Sequence, residues 1–76
     1  MRTFVAKRST NIKQVWYNAE TDVLSVQFKS GAGYLYLGVP TSTFESFRKA
    51  KSKGRYFTTK IRNAYTFQKD VFANVA

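Results

Sequence analysis

Leu24-Ser25-Val26-Gln27-Phe28-Lys29-Ser30-Gly31-Ala32-Gly33-Tyr34-Leu35-Tyr36-Leu37 decides the fold. Leu24, Val26 and Phe28 alternate with Ser25, Gln27 and Lys29, the period of a strand with one buried face. Ser30 to Gly33 supplies a flexible hairpin turn, and Tyr34 to Leu37 returns as a second strand with tyrosines on one side and leucines on the other. Upstream, Ile12 to Tyr17 is rich in β-branched and aromatic residues, which suit a pleated surface, and polar Asn18 to Asp22 links it to the next strand as a turn. The expectation is a three-stranded antiparallel meander.

Downstream, Pro40 ends the sheet and a helix follows, with Ser42 and Glu45 spaced as a capping box. Phe44, Phe47 and Ala50 share one helical face, cations fill the last turn, and Gly54 reads as the terminator. Tyr56-Phe57 reads as extended, with Phe57 in the core, and Thr58 to Arg62 as a short helical turn with Ile61 inward. Residues 66–76 are ambiguous: Phe67, Val71 and Phe72 suit a strand or a helix packed back on the core. The fold class is α+β: three strands, one helix and a short helical turn. Residues 1–8 form a basic arm, 9–65 the domain and 66–76 an extension.

Seventy-six residues make one domain with little stability to spare, and seven Phe, five Tyr and one Trp supply the bulk that such a core needs. The charge is uneven. Net +9 resolves into +3 over residues 1–8, zero over 9–40, and +6 over 41–62, where seven cations face Glu45 alone. A field of that sign attracts polyanions, nucleic acid foremost. Catalysis is poorly equipped. Without His or Cys there is no general base near neutrality, no thiol nucleophile and no Cys/His zinc site, and beyond the turn pair Glu20 and Asp22 the four carboxylates build no plausible metal cage. No cofactor is expected. The opening segment has no signal-type apolar run, and the uncharged run Ser30 to Phe44 is broken by Gly and Pro, so a cytoplasmic location and no membrane partner are expected.

The candidate anion-binding residues are Arg48, Lys49, Lys51, Lys53, Gly54, Arg55, Tyr56, Lys60 and Arg62. Lysine and arginine neutralise phosphate, glycine lets the backbone approach it, and Tyr56 is placed either to stack on a base or to fill the core. Trp16, Tyr34 and Tyr36 are candidate stacking rings on a shared sheet face, unless the tyrosines pack beneath the helix.

Ser9-Thr10-Asn11-Ile12, Tyr34-Leu35-Tyr36, Val39-Pro40, Ala50 to Phe57 and Ile61-Arg62-Asn63-Ala64-Tyr65 follow one another in an order that resembles the KTSC domain. This family is named after the carboxyl-terminal extension of some lysyl-tRNA synthetases and also stands alone in bacteria and phages. The resemblance covers residues 9–65, with Trp16 where the family commonly carries a small residue. It implies RNA binding by association with a tRNA-charging enzyme. The expected function is therefore phosphate-led binding of RNA or another nucleic acid, without catalysis. The alternatives are a protein-interaction module, such as a phage-type inhibitor docking on an acidic host protein, and sequestration of a small nucleotide.

Overall fold

A computed structural model describes residues 2–6 and 9–69; Lys7, Arg8 and residues 70–76, with Val71 and Phe72 among them, lie outside the described residues. The architecture is α+β, with five strands where the sequence suggests three. β1 (Arg2–Val5), β2 (Ile12–Asn18), β3 (Val23–Phe28), β4 (Gly33–Tyr36) and β5 (Phe67–Lys69) form one antiparallel sheet in sequence order. The two added strands are its edges. β1 carries a single inward ring, Phe4, too little alternation to announce a strand; its register comes from pairing Phe4 with Val15. β5 is three residues long and takes its place by pairing Tyr36 with Phe67. Both edge strands fall outside the 9–65 span, in segments read as arm and extension.

The sheet sorts its side chains by row. Phe4, Val15, Val26 and Tyr34 lie on the inner face, as do Tyr17, Leu24, Tyr36 and Phe67 in the next inward row. The intervening row, Thr3, Trp16, Ser25, Leu35 and Gln68, faces outward. Trp16 therefore stands on the face opposite Tyr34 and Tyr36. The strand period of two makes this inescapable once Tyr17 is buried.

α1 (Thr41–Lys49) crosses the inner face and buries Phe44 and Phe47. It starts one residue before the expected capping box. Pro40, with φ −72° and ψ 156°, stands at the cap position, and its carbonyl accepts from the Thr43 and Phe44 amides at 3.0 and 3.2 Å. Ser42 is thus inside the helix, and the Glu45 carboxylate turns to Arg2 and Arg48 instead. The helix ends at Ala50, four residues before Gly54. Ser52 then caps a new helix, α2 (Lys53–Tyr56), its hydroxyl accepting from the Arg55 amide at 3.3 Å. Gly54 lies within α2, and Tyr56-Phe57 is helical rather than extended.

A π-helical turn, Phe57–Ile61, continues directly from α2, with the Arg62 amide donating to the Phe57 carbonyl at 2.9 Å. Thr58 and Thr59 return their hydroxyls to the Gly54 and Arg55 carbonyls at 2.9 and 2.8 Å. Such back-bonding loosens a helix, consistent with the wider turn here. Phe57 and Ile61 both point inward and are buried.

The core comprises Ala6, Ile12, Val15, Tyr17, Leu24, Val26, Tyr36, Val39, Phe44, Phe47, Phe57 and Ile61. Ring pairs carry much of it: Tyr17 stacks on Phe44 at 4.7 Å, and Phe57 meets Phe28 and Tyr36 edge-on at 5.4 and 5.3 Å. Offset or edge-to-face pairs of this kind add about 0.5–1.5 kcal/mol each beyond area burial. That matters in a domain this small. No described helix is long and apolar enough to cross a membrane.

Candidate nucleic-acid interface

The chain between β1 and β2 sets up the site. β2 has an irregularity between Ile12 and Gln14, which bends its start. Ahead of that bend, Ser9 to Asn11 is tied down rather than loose. The Ser9 hydroxyl accepts from the Ile12 amide at 3.0 Å and donates to Asn11 Oδ1 at 3.1 Å. From β3, the Lys29 amide donates to the Asn11 carbonyl at 2.7 Å, and Lys29 Nζ donates to the Ser9 carbonyl.

α2 approaches this loop through Gly54. A Cβ at that position would stand 3.3 Å from Asn11 Oδ1 and 3.5 Å from Ser9 Oγ. Gly54 thus marks a close approach of α2 to the loop, where a larger residue would press on Asn11, and does not terminate the helix. Between loop and helix runs an open groove of about 700 Å³, walled by Ser9, Asn11, Lys51, Lys53, Arg55 and Thr58 among others. Among the described residues no carboxylate lines it. Lys53 is the most constrained of the three cations: its Nζ donates to the Ala50 carbonyl at 2.8 Å and sits 5.6 Å from the centre of the Phe4 ring. Lys51 and Arg55 are exposed at the groove wall.

A second recess of about 470 Å³ adjoins the first, since Asn11 and Thr58 line both. Its walls include Phe28, Tyr34, Tyr36, Phe57 and Phe67, and the exposed Arg62 and Asn63 also line it. Phe67 is 55% exposed and stands 5.8 and 5.9 Å from the Tyr34 and Tyr36 rings. Burial pushes the Tyr36 phenol above its ordinary pKa; the nearby Arg62 guanidinium opposes this, and Tyr34 adds to it.

The remaining candidates are placed elsewhere. Arg48 is engaged by Glu45 at 2.8 Å, together with Arg2 at 3.0 Å. Hydrogen bonds from Arg48, and then from Arg2, hold the Glu45 carboxyl below the usual carboxylate range. Lys49 and Lys60 are exposed and line neither cavity. Tyr56 lies flat on Phe47, centroids 5.6 Å apart and planes 13° from parallel, so its ring serves the core. Trp16 borders a separate hollow of about 350 Å³ on the outer sheet face with Val23 and Leu35. The structure thus gathers Lys51, Lys53, Gly54 and Arg55 into the groove, and Arg62, Tyr34 and Tyr36 into the recess. Sequence reasoning missed Ser9, Asn11, Thr58, Asn63 and Phe67. Ser9, Asn11 and Asn63 sit inside the motifs quoted for the family resemblance, the one signal that pointed to them.

Among the described residues no group of three or more acidic side chains could hold a metal ion. The described acids lie away from the groove. Glu20 and Asp22 occupy the β2–β3 turn, at the far end of β2 from Asn11. There, Asp22 takes a left-handed φ of 57°, a conformation that aspartate tolerates in turns.

A model of the KTSC domain family matches residues 8–65. A lysine–tRNA ligase of Nostoc punctiforme is 39% identical over 57 residues, and an uncharacterized protein of Stutzerimonas stutzeri is 38% identical over 53. The match takes in 75% of this chain but 10% of the ligase, and 70% of this chain with 75% of the Stutzerimonas protein. The crystal structure of a KTSC domain protein from Yersinia pestis superposes with a TM-score of 0.84 at 30% identity, covering 91% of this chain and 96% of that one. The chain belongs to the KTSC domain family.

Proposed function

We propose that the chain is a non-enzymatic binding domain for nucleic acid, RNA foremost, which grips the phosphate backbone in the groove between Ser9–Asn11 and α2. The observation that carries this reading is the lining: Lys51, Lys53 and Arg55 converge there with Gly54, and among the described residues no carboxylate lines the groove beside them. An anion entering the groove meets three cations, two of them on exposed side chains with no carboxylate partner among the described residues. Arg55 can grip two phosphate oxygens at once, and the lysines act as point charges. The ligases that carry a related segment are enzymes of tRNA, which favours RNA as the polyanion.

The test is a titration of fluorescein-labelled single-stranded RNA across salt concentrations. Neutralising three to four phosphates, with Arg62 as the fourth cation, predicts that log affinity falls against log salt with a slope of about −2 to −3. Affinity indifferent to salt would remove the phosphate-led mechanism. Two other outcomes would replace the reading outright: saturable mononucleotide binding independent of chain length, or a protein partner retained after nuclease treatment.

A further inference from the structure

We propose that the recess beside the groove holds one unstacked nucleobase, so that the ligand is single-stranded nucleic acid engaged through a phosphate and its neighbouring base together. This rests on the phosphate reading of the groove and adds a second, uncharged contact to it.

Continuity comes first. Asn11 and Thr58 line both cavities, so a chain held along the groove has the recess directly beside it. The walls come second. The recess is built from five rings, and the outermost of them, Phe67, is 55% exposed although large apolar side chains in a small domain are seldom spared from the core. It leans on Tyr34 and Tyr36, with interplanar angles of 74° and 38°, so it is held in place without being covered. A fixed ring with surface open to solvent is what a base stacks on. The rim comes third. Asn63 brings an amide with both a donor and an acceptor, the complement of a base edge; Asn11, whose Oδ1 already accepts from Ser9, brings amide N–H donors, and Arg62 adds a guanidinium. A duplex keeps its bases stacked and paired and presents none to such a recess. A single strand can turn one in.

The experiment compares two labelled oligomers of about ten units with equal charge, one of uridine nucleotides and one of abasic phosphodiester units. They are titrated into the full chain and into Phe67→Ala, with folding of the variant checked by its thermal transition. We expect the uridine oligomer to bind the wild type about tenfold more tightly than the abasic one. We expect Phe67→Ala to remove that advantage and leave abasic binding unchanged. Tyr34→Leu, which alters a wall of the same recess, should act likewise if Phe67→Ala compromises folding. Equal wild-type affinity for both oligomers would overturn the base recess while leaving the phosphate groove standing. Binding of neither would overturn both.

Discussion

The two ends of the sheet use polar side chains in opposite ways. At the end where β2 turns into β3, polar groups are spent on one another. The Tyr17 hydroxyl, on a fully buried ring, lies 2.7 Å from the Val39 carbonyl, 3.3 Å from Thr41 Oγ1 and 3.3 Å from Asp22 Oδ1. It has one proton to give, and the short contact places that proton on Val39, with Asp22 as the longer alternative acceptor. The Val39 amide in turn donates to the Asp22 carbonyl at 2.8 Å. This knot joins the β2–β3 turn to the entry of α1. At the other end, the Ser9–Asn11 loop is equally well braced, yet the side chains facing it across the groove, Lys51 and Arg55, point to solvent. One end closes on itself; the other is a rigid frame with charges held open. The difference separates residues that hold the fold from residues that meet a ligand on the proposed reading.

The largest effect should come from breaking the closed end. Tyr17→Phe keeps the ring on Phe44 but leaves the buried Val39 carbonyl without its donor, costing about 1–3 kcal/mol. In a chain of this length each kcal/mol lowers Tm by about 4–8 °C, readable by circular dichroism. RNA affinity below the transition should be unaffected. At the open end the sign of the dissociation reverses. Lys51→Ala with Arg55→Ala removes exposed cations and should change stability by no more than about 0.5 kcal/mol per site, while flattening the salt slope of RNA binding by about 1.4. Loss of both stability and binding in either variant would blur the division between the ends.

The smallest effect concerns Glu45, which ties α1 to β1 through Arg2 and pairs with Arg48 within the helix. Its carboxyl pKa is lowered in the folded protein, from an ordinary value of 4.5. Its contribution to stability is therefore present above pH 4.5 and lost as the pH falls through the lower, folded value. Glu45→Gln should show a shallower fall in Tm over that acid range than the wild type. The difference should be slight, because the pair is solvent-exposed and screened.

This division was half legible in the sequence. The alternation through Leu24, Val26 and Phe28 fixes β3 and, through it, the meander, because a period of two is a local signal. β1 and β5 were not legible, since a four-residue and a three-residue edge strand exist only by pairing with neighbours distant in sequence. The cation cluster was visible as a charge run, and three of its seven members, Lys51, Lys53 and Arg55, share the groove; Arg62 lines the adjoining recess, Arg48 is tied to Glu45, and Lys49 and Lys60 line neither cavity. Helical geometry separates neighbours in sequence onto different faces, which a count of charges ignores. Gly54 was misread for a related reason. Its role depends on Asn11 and Ser9, more than forty residues upstream, and no local pattern reports that approach. The same holds for Trp16, whose outward side follows from the burial of its neighbour Tyr17.

The most direct test of the open end is to record amide chemical shifts of the isotope-labelled protein while single-stranded RNA is added at low salt. The expected shifts concentrate at Ser9 to Asn11, Lys51 to Arg55 and Thr58, with the Tyr17, Val39 and Thr41 amides unmoved. Shifts confined to the outer sheet face around Trp16 and Leu35, or no shifts at saturating RNA, would contradict the account.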